Sequence, residues 1–236
     1  MKSQTTAAAV FLAALALATP APARTVSAAY EGEQKAETDA AVQLLFGGDP
    51  KRAEQAFSRI IKHYQDRYRA KASYRCSINA DHAKDLAASL ETTPGELDIV
   101  ILGPDWCTAL WGKGFTLVDL GRGDQAEPFL AQSVEMAPHD AHYRNEYAEW
   151  YKSRRDWNRA LLEFSLAWDV VSHDPKGPDR TLAARALRGM GFAKIELGQL
   201  DEAEALFRKS LEFEPDSRAA ANELEYIAQQ RSNRPG

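Results

Sequence analysis

The residues suited to chemistry are few: two cysteines, five histidines and a surplus of acids. Cys76 and Cys107 form no C-x-x-C pair, so a dithiol redox centre has no motif here. In an oxidising compartment an isolated pair tends to bond; the alternative is two unpaired thiols, one of them buried. The segment "PHDAHYRNE" brings His139, Asp140 and His142 together, with Glu146 one helical turn on. Imidazole and carboxylate at that spacing are ligands a surface metal site would use. The plainer alternative makes Asp140 a helix N-cap and leaves the histidines solvated. No H-E-x-x-H, G-x-S-x-G or phosphate-cradling glycine loop occurs. The acids fall on helix exteriors, with nothing to single out a catalytic pair. The chain therefore reads as a non-enzyme, with no cofactor and no metal ligand expected.

The elements that carry these residues follow a repeat. "GRGDQAEPFLAQSVEMAP" runs from Gly121 to Pro138, and "GQLDEAEALFRKSLEFEP" from Gly198 to Pro215, with small, large and proline positions in step. Between them, "RRDWNRALLEFSLAW" places Ala160 and Phe164 34 residues after Ala126 and Leu130. Ala203 follows Ala160 by 43, and the extra nine residues fit "PKGPDRTLA", rich in turn formers. Ahead of each run lies another amphipathic stretch: Leu110, Gly114 and Leu117, then Arg144, Ala148 and Tyr151, then Leu187, Gly191 and Lys194. Each unit is thus two helices. The small residue of the first (Gly114, Ala148, Gly191) admits the small residue of the second (Ala126, Ala160, Ala203). Leu130, Phe164 or Phe207 fills the space one turn later. In the last unit Asp201 is the expected N-cap, with Glu204 closing a capping box.

A 34-residue unit of this content resembles the tetratricopeptide repeat, whose signature is W-x2-L-G-x2-Y…A-x3-F…P. Residues 184–217 match it through Leu187, Gly191, Ala203, Phe207 and Pro215, with Lys194 in the tyrosine place. Residues 107–140 and 141–174 match with more departures. The resemblance implies an all-α fold, a right-handed solenoid of antiparallel helix hairpins ending in a capping helix. On it, residues 34–106 read as two degenerate repeats, 107–174 as two contiguous ones, 175–183 as an inserted loop, and 184–217 as the last unit. Residues 218–231 read as the cap and 232–236 as a tail. Within 73–106, Thr92 and Glu96 stand where alanine and phenylalanine belong. "DIVIL" has the composition of a strand, but its place before a repeat-ending proline favours helix.

The first residues have the order of an export leader. Lys2 is the positive end, Ala7 to Ala18 an apolar core too short to span a bilayer, and Ala21-Pro22-Ala23 a small-residue cleavage site. Cutting after Ala28 is a second option. An uncleaved anchor is the alternative. Residues 1–23 then form the signal peptide and 24–33 a linker. The expectation is a soluble, exported chain in a bacterial periplasm, with no membrane insertion of the mature form. A net charge of −5 argues against nucleic acid and anionic lipid as partners. "KSRRDWNR" is a small basic run that reads as a solvated hairpin tip.

What remains is surface. In tetratricopeptide proteins the first helices line a concave groove. Beside the core stripe of the first helix at 107–120 run Trp111, Phe115 and Val118; the next unit offers Asn145, Glu149 and Lys152, the last Arg188, Phe192 and Ile195. Apolar anchors flanking a polar middle suit a bound peptide. Equally, Trp111 and Phe115 could pack against the neighbouring first helix. The resemblance does not extend to a lysine–asparagine clamp for a free carboxylate, because Trp111 and Phe115 occupy its places. The leading reading is a non-catalytic envelope scaffold holding a protein or peptide segment. The alternatives are a self-associating structural module and an accessory subunit of a polysaccharide-handling envelope enzyme.

Overall fold

The computed structural model describes residues 25–29, 34–68, 72–91, 98–171 and 173–233. The leader expected over 1–23 lies outside them. Four helix hairpins stack in sequence. They are α1 (Lys35–Phe46) with α2 (Pro50–Arg67), α4 (Asp105–Asp119) with α5 (Glu127–Met136), α6 (Ala141–Ser153) with α7 (Trp157–Val170), and α8 (Arg180–Glu196) with α9 (Leu200–Phe213). Helix α10 (Arg218–Ser232) closes the array. The turn inside each hairpin needs one left-handed residue. Gly48, Gly121 and Gly198 supply it at φ 82°, 72° and 76°, and Arg155 stands there in the third hairpin at φ 58°.

Stacking rests on rings seated over glycines. An added Cβ on Gly112 of α4 would lie 2.4 Å from the Phe57 ring of α2, and one on Gly189 of α8 2.4 Å from the Phe164 ring of α7. Within hairpins the same logic sets Leu130 on Gly114 and Phe207 on Gly191. Phe57 and Phe164 are completely buried, as are Ala126, Ala148, Ala160 and Ala203. Each such ring contributes roughly 1.5–3 kcal/mol by leaving water.

Residues 73–106 do not form a worn hairpin. They hold β2 (Ser73–Cys76), α3 (Ala80–Glu91) and β3 (Ile99–Leu102), followed by the start of α4. With β1 (Val26–Ala29), inside the stretch expected as linker, they make a parallel sheet ordered β1-β3-β2. The reason is burial on both faces, the condition for a parallel sheet. Ile99 and Ile101 pack on Ala83 and Leu86 of α3, whereas Leu102 joins the main core with Cys76 and Trp106. A β-branched run satisfies two covered faces better as a strand than as a helix. Helix α4 packs directly on α2, so the first two hairpins stay adjacent and the βαβ unit is spliced between them.

Three devices tie that unit down. Cys76, on β2 and not on a helix as expected, is bonded to Cys107 in the first turn of α4, with Cα atoms 6.3 Å apart. Closing a loop of 31 residues adds about 3–4 kcal/mol on the chain-entropy argument. Beside it Tyr64 stacks on Trp106 at 5.3 Å, and Tyr74 of β2 tilts against Trp106 at 5.5 Å. At the sheet's other side, the Thr25 amide and hydroxyl both donate to Asp98, at 2.9 and 2.8 Å.

The C-terminal end differs in detail from expectation. Helix α8 begins at Arg180, within the expected loop, and α9 at Leu200 with Gln199 as an N-cap that makes no side-chain bond. Asp201 and Glu204 instead pair with Arg231, pinning α10 to α9. Ala220 and Ile227 of α10 are buried in the cluster of Leu200, Ala203 and Phe207, and Glu225 and Tyr226 face solvent, as a capping helix requires.

Because the Phe164 ring fills the space over Gly189, Gly189→Ala should destabilise by about 1–3 kcal/mol through overpacking. Gly123→Ala is the control, since its added carbon meets nothing closer than 4.0 Å. Urea unfolding of the two variants beside wild type checks this.

Candidate protein-binding face

The nine residues expected to line a groove divide into two groups. Trp111 is 6% exposed, its ring 4.7 Å from His142 of α6 and 6.0 Å from Phe115. Asn145 has no exposed surface, and its Nδ2 donates to the Leu182 carbonyl of α8 at 3.2 Å. These two are therefore packed between consecutive first helices. Phe115 is half-buried against the main core and Val118 is exposed. The physical cause is contact between consecutive first helices: His142 of α6 covers Trp111 of α4, and Leu182 of α8 covers Asn145 of α6.

The second group surrounds an open cleft of about 390 Å³ on α6, α8 and α10. Glu149, Lys152, Arg188 and Phe192 line it, as expected; Arg185 and Glu223 join them. Lys152 pairs with Glu149 at 2.5 Å and holds its ammonium 5.2 Å from the Phe192 ring centre. Arg185 reaches Glu146 at 2.6 Å, and Arg188 reaches Glu214 at 2.5 Å. Phe192 is half-buried, its ring 6.0 Å from Trp157. Ile195 packs into the satellite cluster under α10. Burial raises the pKa of Glu223, and nearby Glu196 adds to this, with Lys152 opposing.

The histidine-rich turn is put to structural use. Asp140 caps α6 by accepting from the His142 and Tyr143 amides, at 2.8 and 3.4 Å. Glu146 is occupied by Arg185. Burial against Trp111 lowers the pKa of His142, with Glu146 and Asp140 opposing, which favours the neutral ring. A second cleft, of about 310 Å³, has no precursor in the sequence pattern. Cys76, His82 and Leu86 of the βαβ unit form one wall and Tyr143, Val171 and Leu182 the other. Ile78 lines it too and is 59% exposed. The segment "SINADH", a loop running into α3, carries no repeat signal, so nothing short of the fold could bring these walls together.

Residues 184–217 match the family model described as tetratricopeptide repeat. No curated protein matches the sequence at a significant level. Among solved structures, PilF of Pseudomonas aeruginosa superposes with a TM-score of 0.57 at 12% identity, over 84% of this chain and 69% of its own. MamA of Desulfovibrio magneticus RS-1 gives 0.56 at 14% identity, over 87% of this chain and 89% of its own. The first tetratricopeptide domain of Spaghetti (RPAP3), solved with an HSP90 peptide, gives 0.47 at 23% identity, over 54% of this chain and 94% of its own. The hairpin array has the fold of a tetratricopeptide-repeat solenoid, and residues 184–217 carry a tetratricopeptide repeat.

Since Trp111 is sandwiched between helices, Trp111→Ala should cost about 3–5 kcal/mol of stability. Val118→Ala, on the same stripe but exposed, should cost little. Chemical denaturation of both separates a core role from a surface one.

Proposed function

We propose that this chain is a non-catalytic, exported scaffold that holds a protein or peptide segment on the concave side of its repeats, within a cell-envelope assembly. The observation that carries the reading is the α6–α8–α10 cleft. It sets a half-buried aromatic ring, Phe192, among charged side chains on consecutive first helices. An aromatic anchor ringed by polar groups is the arrangement that concentrates binding energy in protein interfaces. Trp111, Phe115 and Asn145 then act as the packing that holds the first helices in register, and Val118 and Ile195 flank the face.

Export is supported by two features. A disulfide between Cys76 and Cys107 suits an oxidising compartment. Strand β1 starts at Val26, so removal of residues 1–23 leaves it whole, whereas a cut after Ala28 would delete most of it. No helix among the described residues is long and apolar enough to cross a membrane.

Phe192→Ala should weaken partner binding by about 2 kcal/mol with a small effect on unfolding. A photo-crosslinking residue placed at position 192 should capture a partner in intact cells, and one at Leu162, exposed on α7, should not. Equal capture from both positions would end the concave-face reading. Intact-mass measurement of chain made with its own leader should find a product beginning at Arg24. Full-length chain in the membrane fraction would mean an anchor in place of export.

A further inference from the structure

The charges around the α6–α8–α10 cleft do not balance. Each cation there already has a carboxylate: Lys152 has Glu149, Arg185 has Glu146, and Arg188 has Glu214. Glu223 of α10 lines the cleft and, among the described residues, makes no hydrogen bond or ion pair. Glu196, at the end of α8, is close enough to act on it electrostatically and has no ion pair among the described residues. Two carboxylates thus share the α8–α10 seam without a cation of their own. Lys152 acts on Glu223 from across the cleft, and it is already held by Glu149 and the Phe192 ring.

We propose that the cleft receives a lysine or arginine side chain of a partner segment, its charged head on Glu223 and its aliphatic stem along Phe192. This rests on the concave face being the binding face, and it specifies what that face selects. Charge complementarity points to a basic occupant, because an acidic segment would meet cations already neutralised and two carboxylates that repel it. Long basic side chains suit the site, since they lay an apolar stem on a ring while presenting charge beyond it. A cation seated there favours the ionised form of Glu223, offsetting the desolvation and the Glu196 repulsion that raise its pKa.

The test selects a random dodecapeptide phage library on the folded mature chain and measures the selected peptides by fluorescence anisotropy. The expected peptides carry Lys or Arg beside apolar residues. Glu223→Gln should weaken them about tenfold, as should norleucine in place of the basic residue, and the two changes together should cost little more than either alone. Circular dichroism and thermal unfolding should find Glu223→Gln folded as wild type, since Glu223 makes no hydrogen bond or ion pair among the described residues. Peptides that lose affinity with Phe192→Ala but keep it within about twofold with Glu223→Gln would overturn the basic preference and leave the binding face standing. Peptides insensitive to both variants, or no selection at all, would overturn the binding face itself and this proposal with it.

Discussion

The structure depends on one steric constraint: a ring can sit flat against a helix only where that helix has no side chain. Phe57 on Gly112 and Phe164 on Gly189 set how closely a second helix approaches the next first helix. Leu130 on Gly114 and Phe207 on Gly191 do the same within hairpins. Packing at interior density leaves no slack for a methyl group at these points. Glu146 takes the place of Gly112 and Gly189 in the third hairpin, which follows Leu130 and not a phenylalanine. Its carboxylate stays buried and is paired by Arg185.

That constraint also explains how a solenoid tolerates an insertion. Because α2 and α4 are locked together by Phe57 and Gly112, the chain between them can leave the array and return without disturbing the stack. The excursion cannot bury its own apolar strands on both faces. It borrows the array for one face and α3 for the other, and takes β1 from the chain's beginning as an edge strand. The disulfide and the Tyr64–Trp106–Tyr74 cluster hold the borrowed face in place. One consequence is the apolar cleft between the βαβ unit and the starts of α6 and α8, a surface that a plain hairpin array lacks.

Along the groove stripe, Trp111 and Asn145 are packed by His142 and Leu182 of the neighbouring helices, while Glu149, Lys152, Arg188 and Phe192 line an open cleft beside α10. Residues in matching register on successive helices thus play different parts, and what the neighbouring helix places against each decides which. Comparison with PilF and MamA speaks to the architecture and leaves this division to the chain's own side chains.

The sequence by itself determined the hairpins of the array, because helical periodicity, turn glycines and small–large pairs are local or recur at a fixed period. Ala126, Ala160 and Ala203 announced the close contacts they make, and Asp140 announced its cap. It did not determine that Asp201 and Glu204 would leave their own helix end for Arg231, thirty and twenty-seven residues away. Nor could it show that "DIVIL" is the central strand of a sheet, since strand or helix for a short apolar run depends on whether both faces find cover. That cover comes from Ala83 and Leu86 on one side and Trp106 on the other, and from β1, some seventy residues earlier. Only the tertiary structure decided which half of the groove stripe is open, because burial of Trp111 and Asn145 is set by His142 and Leu182 on neighbouring helices, and distance between helices is not a property of either one's sequence.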